Sequence, residues 1–219
     1  LFSYGYGLSL ASSSLAKLPE LKLEPTKANL QSGTLASVMI FNSRTHPDWE
    51  HFLGEPSDWK QHYERGDQRS KGEQLRVRRA DTMVQEDSLR LIFSGDGTQL
   101  NQWYWQAQSP KDLSGALEEE SMLKLMIVVN SYSSEEVNVR MDCVYPCSAT
   151  VSITKALNAF PLGTVRELAI PIRCFVENGL RADRVDTPAL LATTGALDVT
   201  LSSVNIDTAG AASTKIACN

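Results

Sequence analysis

Few side chains in this sequence are spaced to do chemistry, and the best placed sit in two alternating segments. In the run Asn101–Gln108, period-two alternation sets Gln102, Tyr104 and Gln106 on one side of a strand and Trp103 and Trp105 on the other. In the run Val137–Cys143, Asn138, Arg140 and Asp142 oppose Val137, Val139, Met141 and Cys143. Amides, a guanidinium and a carboxylate bond to hydroxyl groups, and a phenol ring offers a flat face, so these residues could form a polar binding surface. The alternative for Arg140 and Asp142 is a solvent-exposed ion pair that contributes little. Trp103 and Trp105 could stack on the C–H face of a pyranose, but large apolar rings collect on buried faces and these two are assigned to the core. That leaves Tyr104 as the aromatic ligand candidate.

Other chemistry is weaker. His46, His51 and His62 invite a zinc site, yet no nearby cysteine or regular spacing completes a tetrahedral ligand set. Calcium is the one metal left open, but Asp183, Asp186 and Asp207 are too scattered to predict a site, and no cofactor is expected. The four cysteines, Cys143, Cys147, Cys174 and Cys218, include no C-x-x-C pair. They read as disulfides and hence as an oxidising compartment, with buried free thiols as the alternative. Three connectivities are open; a local Cys143–Cys147 bridge across Val-Tyr-Pro is preferred, which leaves Cys174–Cys218.

The elements that must position these residues are strands. At 219 residues the chain can form one large β domain or two small ones, and its 42% hydrophobic and 21% charged content excludes general disorder. A net charge of −5 argues against a nucleic-acid partner. The longest strictly apolar run, Leu125 to Val129, is too short to cross a bilayer, so no membrane partner is expected. Without an initiator Met or a signal peptide, the sequence reads as a processed chain or an excised piece. Residues 11–33 are Ser-rich, then mixed around Pro19 and Pro25, and read as a linker; Thr34 to Asn42 reads as the first strand. From Arg44 to Asp81 charge of both signs, three histidines and two tryptophans suggest a long functional or mobile insertion, with a short helix at Trp59 to Glu64 capped by Asp58. Strands then follow at LRVRRA, SLRLIFSG and NQWYWQAQ. Met122 to Thr154 reads as a central hairpin across the turn SYSSEE. The strand VRELAIPIRCF is broken at Pro171, so it is an edge strand or ends there; two more flank a Thr-Gly turn near residue 194, and no helix-period stretch competes. Short strands at regular spacing predict an all-β fold, a β-sandwich or a jelly roll.

Two segments resemble known proteins. The first ten residues, through Phe2, Tyr4, Gly5, Tyr6, Gly7, Leu8 and Ser9, resemble the closing signature of the second domain of glycoside hydrolase family 3 enzymes. The segments RMDCVYPCSATVSI, IPIRCF, VDTPALLATTGALDVTL and VNI resemble the extra C-terminal domain of some bacterial family 3 exo-β-glucanases. That resemblance covers most of residues 89–206 and implies a galactose-binding-like jelly roll similar to carbohydrate-binding modules. It divides the chain into the tail of an upstream catalytic region (1–10), a linker (11–33) and an accessory domain (34–219). Ser57-Asp58-Trp59 matches the family's nucleophile triplet in residue type, but it follows Gly-Glu-Pro rather than an apolar barrel strand, so no catalytic residue is expected here. The resemblance implies a secreted or periplasmic, non-catalytic domain whose partners are β-glucan polysaccharide or oligosaccharide and the catalytic domains of the same chain. Gln102, Tyr104, Gln106, Arg140 and Asp142 would then bind sugar. In the alternative, the domain buttresses the catalytic domains through Trp49 and Trp59 and borders their cleft without binding sugar alone.

Overall fold

The computed structural model describes residues 37–218 apart from 84, 116–120 and 208–213. The expected tail and linker, 1–33, lie outside the described residues. In chain order the strands are β1 (Ser37–Asn42), β2 (Arg44–Thr45), β3 (Glu50–Glu55), β4 (Asp58–His62), β5 (Gln68–Arg69), β6 (Leu75–Ala80), β7 (Ser88–Ser94) and β8 (Asn101–Gln106). Then come β9 (Met122–Ser131), β10 (Val137–Asp142), β11 (Ser148–Ser152), helix α1 (Thr154–Ala159), β12 (Val165–Pro171) and helix α2 (Ile172–Glu177). The chain finishes with β13 (Thr187–Thr193), β14 (Ala196–Asp207) and β15 (Thr214–Lys215).

These strands form two sheets. One runs β15-β12-β9-β14-β7-β6-β5, with β1 also paired to β14 and β2 to β1; the other runs β11-β10-β13-β8-β3-β4. One buried apolar cluster draws on both. Leu75, Val77, Leu91, Phe93, Leu125, Ile127, Val199 and Leu201 come from the first sheet, and Leu53, Trp103, Trp105, Val139, Met141 and Leu191 from the second. This is the predicted sandwich, with Trp103 and Trp105 in its core.

The connections differ from the sequence reading. β9 and β10 are not a hairpin: β9 lies between β12 and β14 in one sheet, and β10 lies between β11 and β13 in the other. Alternation says that each strand buries one face. Two strands facing each other across a core satisfy that as well as two paired side by side. β13 and β14, joined through Thr194 and Gly195, cross between sheets in the same way. Pro171 does end β12, but Ile172–Glu177 then turns helical, in a segment too short to display a helical period.

The charged segment 44–81 is not an insertion. It supplies β3 and β4 to one sheet and β5 and β6 to the other, burying Leu53, Leu75 and Val77. The helix expected at Trp59 to Glu64 is instead the edge strand β4, and Asp58 opens it, its Oδ1 accepting from the Lys60 N–H at 3.0 Å. Strands this short carry one or two core-facing side chains each, too few for a period to show. Their turns are tied together by Glu55, a buried carboxylate that accepts from the hydroxyls of Ser57 and Ser70 and from the Gly72 N–H. A side chain at Gly72 would press on it, since a Cβ there would stand 2.6 Å from Glu55 Oε1. Two disulfides complete the frame, Cys143–Cys147 and Cys174–Cys218, with Cα–Cα distances of 5.0 Å each.

Candidate functional site on the outer face of the six-stranded sheet

Strand order decides which residues meet. β13 lies between β8 and β10, so the outward side chains of all three share one surface. The register aligns Arg140, Leu190, Tyr104, Phe52 and His62 in one row across the sheet. Asn138, Ala192, Gln102 and Gly54 form the next row. Beyond the first row, at the other end, Asp142 pairs with Thr187 and Gln106 with Glu50. The Gln106 amide donates to the Thr187 hydroxyl at 3.4 Å. Gln102, Tyr104, Gln106, Arg140 and Asp142 therefore lie on a single face, with β8 and β10 about 9–10 Å apart across β13.

The face is less polar than period two suggests. Phe52, Tyr104, Leu190 and Ala192 form a second buried apolar cluster along its centre. Phe52 and Tyr104 stack with ring centroids 5.2 Å apart. Lys60 Nζ sits 5.3 Å from the centre of the Phe52 ring, and His62 meets that ring edge-on. Around this strip stand the charges. Arg140 Nε and Nη2 donate to the two carboxylate oxygens of Asp142 at 2.7 and 2.9 Å, and the two side chains remain 28% and 22% exposed. Burial pushes the Asp142 carboxyl above its ordinary range, against the pull of Arg140.

Tyr104 does not offer the free ring that a stacking platform needs. It is 6% exposed, and its hydroxyl donates to the Trp59 carbonyl at 2.8 Å. The cause is a bulge: register shifts between Leu53 and Glu55, and the main chain at Trp59 comes over the face. Gly54 permits the approach, because a Cβ there would stand 2.6 Å from the Gln102 side chain and 2.9 Å from the Trp59 carbonyl. Gln102 is buried by the same crossing. Burial also pushes the Tyr104 phenol up to about 12, so it stays a neutral donor.

Of the two tryptophans expected to contact another domain, Trp49 cannot do so. It is buried in the core with its indole N–H donating to the Met39 carbonyl at 3.1 Å. Trp59 is 46% exposed on the edge strand. The apolar strip itself escaped the sequence reading. Period two in Glu50–Glu55 separates Phe52 and Gly54 from His51 and Leu53, but the run Ala189–Ala192 is apolar throughout and hides its outward members. Among the described residues no three His, Cys, Asp or Glu side chains converge as a metal site would require. His51 is half-buried with Nδ1 2.9 Å from the Thr45 hydroxyl, while His46 sits beside Asp48.

A family profile described as galactose-binding domain-like matches residues 47–206, a span that holds every strand of the six-stranded sheet. The chain belongs to the galactose-binding domain-like family. No curated protein matches it at the sequence level. Among solved structures, this galactose-binding-like domain is similar to the extra C-terminal domain of the exo-1,3/1,4-β-glucanase ExoP from a Pseudoalteromonas species. Identity is 15% and the TM-score 0.67, covering 83% of this chain and 99% of that one. Against the whole of ExoP the identity is 16% and the TM-score 0.69, and the match spans 86% of this chain but only 23% of the enzyme. The fold is also that of carbohydrate-binding modules. A family 30 module is 19% identical with a TM-score of 0.56, covering 84% and 94% of the two chains. A family 11 module from Clostridium thermocellum, solved with a β-1,3-1,4-mixed-linked tetrasaccharide, is 10% identical with a TM-score of 0.52, covering 81% and 98%.

Proposed function

We propose that this galactose-binding-like domain is a non-catalytic accessory module that binds β-glucan on the outer face of its six-stranded sheet. The observation that carries the reading is the register that gathers the part-exposed Gln106, Arg140 and Asp142 on one face, around a buried apolar strip. Hydroxyls of a glucan chain would bond to the Gln106 amide and to the outer edges of the Arg140–Asp142 pair. C–H faces of the sugar rings would lie against the exposed ring of Trp59, with the buried strip beneath. Tyr104 and Gln102 serve beneath, as the floor that holds the strip in shape. The likeness to a module solved with a mixed-linkage tetrasaccharide supports the choice of ligand.

The domain would be joined to upstream family 3 catalytic domains, as the extra domain of ExoP is part of a longer enzyme. Two disulfides support an extracellular or periplasmic setting. No helix among the described residues is long and apolar enough to cross a membrane. The buttress reading loses one of its two contact residues with Trp49 in the core, so the binding reading is preferred.

Titration of the isolated chain with soluble mixed-linkage β-1,3-1,4-glucan tests it. Saturable binding is expected, weakened at least tenfold, about 1.4 kcal/mol, in Trp59→Ala and in Gln106→Ala. A flat calorimetric trace rejects the reading, as does wild-type affinity in both variants.

A further inference from the structure

A cavity of about 510 Å³ is lined by His51 of the six-stranded sheet and by Arg44, Thr45 and Arg79 of the nine-stranded one. It lies on the opposite side of β3 from Phe52 and Tyr104, and is therefore separate from the outer face. Its volume is that of a small-ligand site.

The walls are built rather than incidental. Ser43 and Glu86 adopt the left-handed conformation, with φ of 58° and 53°, which costs energy for residues other than glycine. The Arg79 guanidinium donates to the carbonyls of both, at 2.7 Å to Ser43, and so clamps the β1–β2 turn to the segment before β7. The floor is His51 and Tyr63, rings edge to face with centroids 4.8 Å apart. Each is fixed in turn: His51 Nδ1 pairs with the Thr45 hydroxyl, and the Tyr63 hydroxyl donates to the Gly66 carbonyl at 2.8 Å. Burial first, then His62 and Arg79, lowers the His51 imidazole to about 4, which keeps the floor uncharged at neutral pH.

Charge at the cavity selects the ligand class. Asp87 is engaged by the N–H groups of Thr82 and Met83 and by the Ser88 hydroxyl. By contrast, the side chains of Arg44, Arg65, Glu64 and Glu86 line the cavity with no hydrogen bond or ion pair among the described residues. An anion would meet Glu64 and Glu86, and a cation would meet three guanidiniums. A neutral, hydroxyl-rich molecule suits both, giving protons to the carboxylates and accepting them from the guanidiniums.

The geometry points to this cavity as a second saccharide subsite, taking a mono- or disaccharide unit at a chain end over the His51–Tyr63 floor. It stands apart from glucan binding on the outer face, and neither depends on the other.

The test follows the His51 ring signals by NMR during titration of the isolated chain with D-glucose, D-galactose and laminaribiose, each to about 10 mM, ten times a millimolar Kd. A saturable shift is expected with at least one sugar, weakened at least tenfold in Arg65→Ala and in Glu64→Gln. Both residues are exposed, so the fold should survive. The shift should be unaltered in Trp59→Ala and Gln106→Ala, which separates this subsite from the outer face. No shift with any of the three sugars overturns the inference. So does undiminished affinity in both cavity variants, or an equal saturable response to inorganic sulfate, which would make the cavity an anion site.

Discussion

Replacing Glu55 by Gln is the sharpest test of how the turns beside the outer face are held. The carboxylate is buried and accepts from Ser57 Oγ and the Gly72 N–H on one oxygen and from Ser70 Oγ, at 2.7 Å, on the other. An amide is nearly the same size but turns one acceptor into a donor. If its oxygen keeps the Gly72 N–H, its NH2 faces Ser70 Oγ, which already accepts from the Leu75 N–H at 2.9 Å. At least one charge-assisted bond is lost and the rest weaken to neutral ones, a cost of about 2–3 kcal/mol. For a domain of this size that is a fall of roughly 5–10 °C in Tm. The pH dependence has a definite sign. Burial raises the Glu55 carboxyl, but hydrogen bonds from Ser57, Ser70, Gly72 and Gln74 outweigh it and hold the group below its ordinary 4.5. Its contribution is therefore fully present above that value and is lost as pH falls through the lower, folded one. Urea denaturation of both proteins from neutral to acid pH measures the gap. It should be widest near neutrality and narrow below the ordinary value. A gap under about 0.5 kcal/mol at neutral pH, the scale of ordinary surface substitutions, would refute the reasoning. So would a gap that widens on acidification.

Two further outcomes are expected. The His51 ring, followed by NMR, should titrate near 4 rather than at 6.5; protonation then destabilises the fold as pH drops through that interval, and a midpoint near 6.5 contradicts its burial. Loop-closure entropy makes the two disulfides unequal. Removing Cys174–Cys218, 44 residues apart, should cost about 4 kcal/mol, and removing Cys143–Cys147, four apart, about 2 kcal/mol. Urea denaturation of the two double Cys→Ser variants compares them, and equal losses would contradict the chain-entropy account.

What the sequence made legible was each strand's own two faces. Trp103 and Trp105 against Gln102, Tyr104 and Gln106 is a local pattern, and it survives in the fold because one face of β8 meets the core. Which strand lies next to which is not local. Nothing in Met122–Thr154 distinguishes pairing side by side from facing across the core, so β9 and β10 were expected together and are found in opposite sheets. The outer face was legible as a set of residues, since β8 and β10 both turn their polar sides outward. The openness of Tyr104 was not, because its cover comes from Trp59, 45 residues earlier in the chain, through a bulge that no periodicity announces. Separation in sequence, here 15 and 17 residues, also hid the role of Glu55. Its partners Ser70 and Gly72 lie in another turn, and in the sequence alone the segment is simply charged.

The pairing of β1 with β14 carries a consequence for folding. Ser37 stands opposite Asp207 in that ladder, and β14 also supplies the neighbours of β7 and β9. Three strands thus pair with one that follows them all in the chain. Without β14 the nine-stranded sheet has no middle: β7 keeps only β6, and β9 only β12. A chain assembled on this plan folds late and as a unit rather than strand by strand.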